Sequence, residues 1–139
     1  MAAVRRILPK ALNNSPSLSF KLKNLKMETS FKPTGYTSLS PYLIVENAQK
    51  LTELLKKVFN ATELRTFIRG DGSVQHSELQ LDDSVIMISD SLDEYPPITA
   101  MLHYYVQDVF KTFELAIKNG CEVIEQPKKG DDGDTRGLP

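Results

Sequence analysis

From Leu39 to Val45 the chain changes face at every residue, with Ser40, Tyr42 and Ile44 on one side and Pro41, Leu43 and Val45 on the other, which is the period of a β-strand. Behind it the period lengthens. Asn47 is a good helix N-cap, and Leu51, Leu54, Leu55, Val58 and Phe59 recur at the spacing of one buried helical stripe. Three more strands are predicted, over Glu63 to Arg69, Val74 to Leu81 and Ser84 to Asp90, separated by the turns Gly70-Asp71-Gly72-Ser73 and Asp82-Asp83. The first unit therefore reads βαβββ.

Ser91 to Pro97, with its acidic pair and two prolines, reads as a linker. A second unit opens with a predicted strand near Ile98 to Val106. Asp108 then caps a helix whose buried stripe is Val109, Phe110, Phe113, Ala116 and Ile117, and Asn119-Gly120 closes it in the manner of a left-handed cap. Val45, Lys50, Glu53 and Leu54 are answered by Val106, Lys111, Glu114 and Leu115 at one constant offset, so the two units are an internal duplication. Cys121 to Gln126 is expected as the sixth strand. From Pro127 to Pro139 the pattern gives no strand, so two strands of the second unit are expected to be missing.

At 139 residues, with 40% hydrophobic and 25% charged side chains, the chain has the size and balance of an ordinary globular domain. Its single cysteine, Cys121, excludes an internal disulfide and opens an apolar run, where a packed thiol is expected rather than a nucleophile. No apolar stretch approaches the roughly twenty residues that cross a bilayer. The net charge of −1 conceals an asymmetry. Residues 1–27 carry Arg5, Arg6, Lys10, Lys21, Lys23 and Lys26 and no acidic residue. Residues 1–33 accordingly read as a basic leader, either disordered or an organelle transit segment, ahead of a domain over residues 34–139. The compartment implied is cytoplasmic, or mitochondrial if the leader is a transit peptide. Phe20 alone is interleaved with the basic residues, which argues against a nucleic-acid arm.

Four segments carry a resemblance: Ser40-Pro41-Tyr42-Leu43-Ile44-Val45, the run from His76 to Asp90, Tyr104-Tyr105-Val106-Gln107-Asp108, and Gly133-Asp134-Thr135-Arg136-Gly137. In order and spacing they resemble the glyoxalase/bleomycin-resistance proteins, the vicinal oxygen chelate superfamily. The resemblance implies an α+β fold in which paired βαβββ modules form a cupped mixed sheet, the first module over about 37–90 and a partial second over about 98–137. It also implies a final turn and strand after Gly137, where this chain has Leu138-Pro139, so the module is expected to be C-terminally shortened. Metal-dependent members draw ligands from the start of each module's first strand, and those positions hold Ser40 and Met101 here. Neither is a usual ligand for a hard or borderline divalent ion. Glu78 falls where a family carboxylate ligand can lie, but one carboxylate does not make a metal site.

Alternation places Ser40, Tyr42, His76, Glu78, Met101, His103 and Tyr105 on the face away from the helices. His76, Glu78 and His103 are the candidate catalytic residues, and Ser40, Tyr42, Met101 and Tyr105 the candidate ligand contacts. Individually, His76 and Glu78 also fit half-exposed strand positions and His103 a core histidine; their shared face singles them out. The acidic run Asp131-Asp132-Gly133-Asp134 lacks the terminal glutamate of a calcium loop, and Gly70-Asp71-Gly72 lacks the lysine and helix start of a phosphate loop. The expected function is binding of a small molecule in the cupped sheet, with no cofactor or metal and no nucleic-acid or membrane partner. The alternative is a lyase, isomerase or dioxygenase of the superfamily, metal-dependent or acid/base, with Glu78 as base or ligand. An incomplete second module exposes a sheet edge, from which a homodimer is expected.

Overall fold

A computed structural model describes residues 31–139 of the chain. The leader expected up to residue 33 lies almost wholly outside the described residues. The first unit forms as β1 (Tyr42–Val45), α1 (Ala48–Phe59), β2 (Thr62–Ile68), β3 (Val74–Leu81) and β4 (Ser84–Asp90). These strands make one mixed sheet in the order β1-β4-β3-β2, with β1 parallel to β4 and the other two pairs antiparallel.

Local chemistry explains each boundary. The Asn47 side chain accepts a hydrogen bond from the Lys50 amide at 2.9 Å to start α1, and Asn60 ends it in the left-handed conformation, φ 54°. Gly72, at φ 88°, supplies the backbone that the β2–β3 turn needs, and the Asp71 carboxylate accepts from the Ser73 amide beside it. The helix-facing side of the sheet carries Leu43, Val45, Leu79, Leu81, Ile86 and Ile88. Ala48, Leu51, Leu55 and Phe59 of α1 close over it, so the core lies between α1 and the sheet.

The second unit departs from the expected pattern in three places. Ile98 to Val106 does not form a strand. Its Ile98 amide donates to the Ile44 carbonyl at 3.1 Å, but beyond that bond it has no ladder partner among the described residues. Alternation survives without the ladder: Tyr104 turns inward to meet Phe59 edge to face at 5.2 Å, while His103 and Tyr105 turn outward. The helix α2 (Val109–Lys118) forms behind Asp108 as expected, and Phe113 and Ala116 are buried. Phe110 is exposed instead of buried, because the covered side of α2 meets α1 and the last strands and no layer lies over Phe110.

The third departure is at the end of the chain. The sixth strand begins not at Cys121 but four residues later, as β5 (Glu125–Lys129), and it pairs antiparallel with β6 (Thr135–Leu138), where no strand was expected. The acidic run between them is the hairpin turn. Gly133 adopts φ 92°, the Gly130 amide donates to the Asp134 carbonyl at 2.7 Å, and Arg136 pairs with Asp132. The result is an α+β fold with a mixed four-stranded sheet and a small second sheet. No helix among the described residues is long and apolar enough to cross a membrane.

The hairpin meets α2 at Gly137. A Cβ there would stand 3.1 Å from the Phe113 ring and 3.0 Å from the Pro127 ring, and neither rigid ring has a flexible end that could retreat. Gly137→Val should therefore cost about 1–2 kcal/mol and raise hydrogen exchange across β5, β6 and α2 while leaving β3 protected. Unchanged exchange in the hairpin would show that it does not dock on α2.

Candidate functional site

Strand register builds the site. Arg65 on β2 faces Glu78 on β3, Glu78 faces Met87 on β4, and Met87 faces Tyr42 on β1, so these four residues form one row across the sheet on the side away from α1. Phe67 faces His76 in the next row. Alternation along β3 sends Leu79 into the core and leaves Glu78 on the side away from α1.

Glu78 is the organising group. Its side chain is only 1% exposed, and a buried carboxylate must find donors or lose its charge. Arg65 Nη2 donates to Oε1 at 2.6 Å, and His76 Nε2 lies 2.8 Å from the same oxygen. The Tyr36 hydroxyl donates to Oε2. Burial pushes the Glu78 carboxyl up, but the hydrogen bonds from Arg65, His76 and Tyr36 outweigh it and hold the group down to about 2 from an ordinary 4.5. The same hydrogen bond raises the Tyr36 phenol.

The ionised carboxylate has no proton to give, so the hydrogen between it and His76 belongs to Nε2. In the neutral ring Nδ1 then carries a lone pair, and the Tyr42 hydroxyl lies 3.1 Å from it, placed to donate. Tyr42 and Phe67 flank the His76 ring at 5.6 and 6.4 Å between centroids. The face thus presents three tilted rings beside a half-exposed guanidinium.

Of the residues singled out in the sequence, Tyr42, His76 and Glu78 come together. Ser40 is half-buried just ahead of β1. Met101, His103 and Tyr105 are exposed on the segment after Ile98, with His103 and Tyr105 in edge contact at 4.7 Å, and no hydrogen bond, ion pair or ring contact joins them to Glu78. Arg65 and Tyr36 were missed. Arg65 is marked only by the hairpin register, which two irregularities shift, and Tyr36 lies in no periodic segment.

No family model matches the chain. Uncharacterized proteins of Mycobacterium bovis and Mycobacterium tuberculosis are each 27% identical to it over 100 residues, 63% of this chain. The chain spans 64% and 58% of their lengths. Among solved structures, TioX from a Micromonospora species superposes with a TM-score of 0.57 at 18% identity, over 73% of this chain and 87% of that one. The PhnB protein of Bacillus cereus, a putative 3-demethylubiquinone-9 3-methyltransferase, gives 0.58 at 14% identity, over 73% and 88%. A variant of the fosfomycin resistance protein FosX from Listeria monocytogenes, solved with Mn(II) and a dihydroxypropylphosphonic acid, gives 0.53 at 22% identity, over 70% and 75%. All three are glyoxalase/bleomycin-resistance proteins. The chain has the vicinal oxygen chelate fold.

That fold hosts metal sites, so the donors present here matter. Among the described residues no three His, Cys, Asp or Glu side chains converge as a metal-holding group. Both oxygens of Glu78 already accept from protein donors, and Ser40 and Met101 offer only a neutral hydroxyl and a thioether.

Proposed function

We propose that the sheet face away from α1 binds a small organic molecule without a resident metal ion, with Tyr42, Arg65, Phe67 and His76 as its contact surface. One observation carries this reading. Glu78 spends both oxygens on Arg65, His76 and Tyr36, so it acts as the buried anchor that orients the contact residues, not as a metal ligand or free base. What remains for a ligand is aromatic surface, the tip of Tyr42 and the unused N–H groups of Arg65, the mixture of apolar area and few polar groups that small-molecule sites use. Function on this fold is decided by such a site and not by the fold itself.

A small-molecule screen read by two-dimensional NMR should find ligands that shift Tyr42, Arg65, Phe67 and His76 together. Arg65→Met and Tyr42→Phe should each weaken such a ligand on the order of tenfold. Calorimetry with manganese, zinc and nickel should give no stoichiometric binding; one ion bound per chain, with stabilisation of the fold, would overturn the metal-free reading.

A further inference from the structure

We propose that Tyr42 is a nucleophilic phenol, its proton accepted by His76 and the His76 ring held in register by Glu78, in a site that takes a small activated acyl compound. The proposal rests on the Glu78 face of the sheet being a ligand site, but its test requires no natural ligand.

Three groups stand in line. The Tyr42 hydroxyl is 3.1 Å from His76 Nδ1, and His76 Nε2 is 2.8 Å from Glu78 Oε1. A hydroxyl backed by an imidazole, itself backed by a buried carboxylate, is the arrangement by which a weak nucleophile is activated, and it is recognised by geometry and not by chain order. The carboxylate fixes the ring tautomer with the hydrogen on Nε2 and so leaves Nδ1 free to take the phenol proton. Arg65 and Tyr36 hold the carboxylate from its other sides, which keeps it in place as an ionised partner. Two rings on either side limit rotation of the imidazole. In the step itself the Tyr42 oxygen bonds to the acyl carbon, the carbon's bond to its leaving group breaks, and the phenol proton passes to His76 and from there to the leaving group.

Exposure alone predicts a different result. Tyr42 is 47% exposed, against 60% for Tyr95 and 81% for Tyr105, so a reagent guided by access would label Tyr105 first and Tyr42 last of the three. The experiment treats the full chain with N-acetylimidazole and follows O-acetylation of each tyrosine by mass spectrometry, with hydroxylamine reversal to confirm the phenyl ester. Tyr42 should react at least about tenfold faster than Tyr95 and Tyr105, and His76→Gln should bring it to or below their rate with theirs unchanged. Labelling in the order of exposure, or a Tyr42 rate indifferent to His76→Gln in a folded chain, would refute the proposal. Nitrogen NMR of the His76 ring in the unaltered chain gives a second reading that does not depend on the variant folding. Hydrogen on Nε2 with a bare Nδ1 supports the relay, and hydrogen on Nδ1 overturns it. Neither outcome bears on whether a ligand binds this face, so the two proposals fail separately.

Discussion

Glu78→Ala lowers the unfolding free energy by about 3 kcal/mol, the largest effect expected from any single side chain on the face away from α1. Removing a buried carboxylate leaves its donors behind. His76 Nε2 and the Tyr36 hydroxyl lose their acceptor in a half-buried setting, while Arg65 is exposed enough to turn to water. That escape keeps the cost at the lower end of what breaking a buried ion pair produces. The same carboxylate gives stability an acid limb. Its pKa is about 2 in the folded chain against 4.5 ordinarily, so the folded state takes up its proton less readily than the unfolded chain does. The contribution is therefore complete above pH 4.5 and is lost as the pH falls from there toward 2. A shift of this size sets a ceiling of roughly 3 kcal/mol. Screening at the half-exposed Arg65 brings the expected loss to about 1–2 kcal/mol. Glu78→Gln keeps the shape and should flatten this limb. Denaturant melts from pH 6 to 2.5 on both chains measure it, and parallel profiles would mean that Glu78 is not the titrating group.

Much of the fold could be read because its determinants are local. The β3 and β4 bounds follow from alternation between two short turns, and both helices follow from Asn47 and Asp108 standing ahead of periodic apolar stripes. The second unit was harder because a strand is a strand only beside another. Ile98 to Val106 has the alternation but finds one backbone bond to β1, whereas β5 and β6 have little alternation and are held by their pairing, by Gly133 and by the Arg136–Asp132 ion pair. Lys128, Lys129 and the three aspartates give that hairpin no apolar alternation from which a strand can be read. The site divides in the same way. Tyr42, His76 and Glu78 share a face that alternation reveals, but Arg65 reaches Glu78 through a register with irregularities, and Tyr36 arrives from an aperiodic segment.

The second large effect lies at the end of β4, three residues beyond Met87 of the Arg65 row, where Asp90 is expected to act as a staple. Asp90→Ala should cost about 2–3 kcal/mol, and Asp90→Asn about 1 kcal/mol. Asp90 ends β4 and pairs in register with Val45 of β1. One carboxylate oxygen accepts from the Ala48 amide at 2.7 Å, a donor that α1 cannot satisfy internally, and the other accepts from the Val74 amide at 2.6 Å where β3 begins. Arg69 completes the junction by donating to the Val74 carbonyl at 3.0 Å and to Ser73 Oγ at 3.1 Å. A single acidic side chain thus ties the helix start, the β2–β3 turn and the end of β4, all of which meet where the core is covered by Ala48 and Val74. Alanine leaves two amides without an acceptor. Asparagine keeps one oxygen but turns an N–H group toward the other amide, so one bond is retained and one lost. Hydrogen exchange should locate the damage: both the Ala48 and Val74 amides should lose protection first in Asp90→Ala, and only one of the two in Asp90→Asn, ahead of Leu79 and Ile88 at the centre of the sheet. If Asp90→Ala melts with the unaltered chain, or if protection falls uniformly, the junction is not held by Asp90 and the tie between helix and sheet must come from core packing alone.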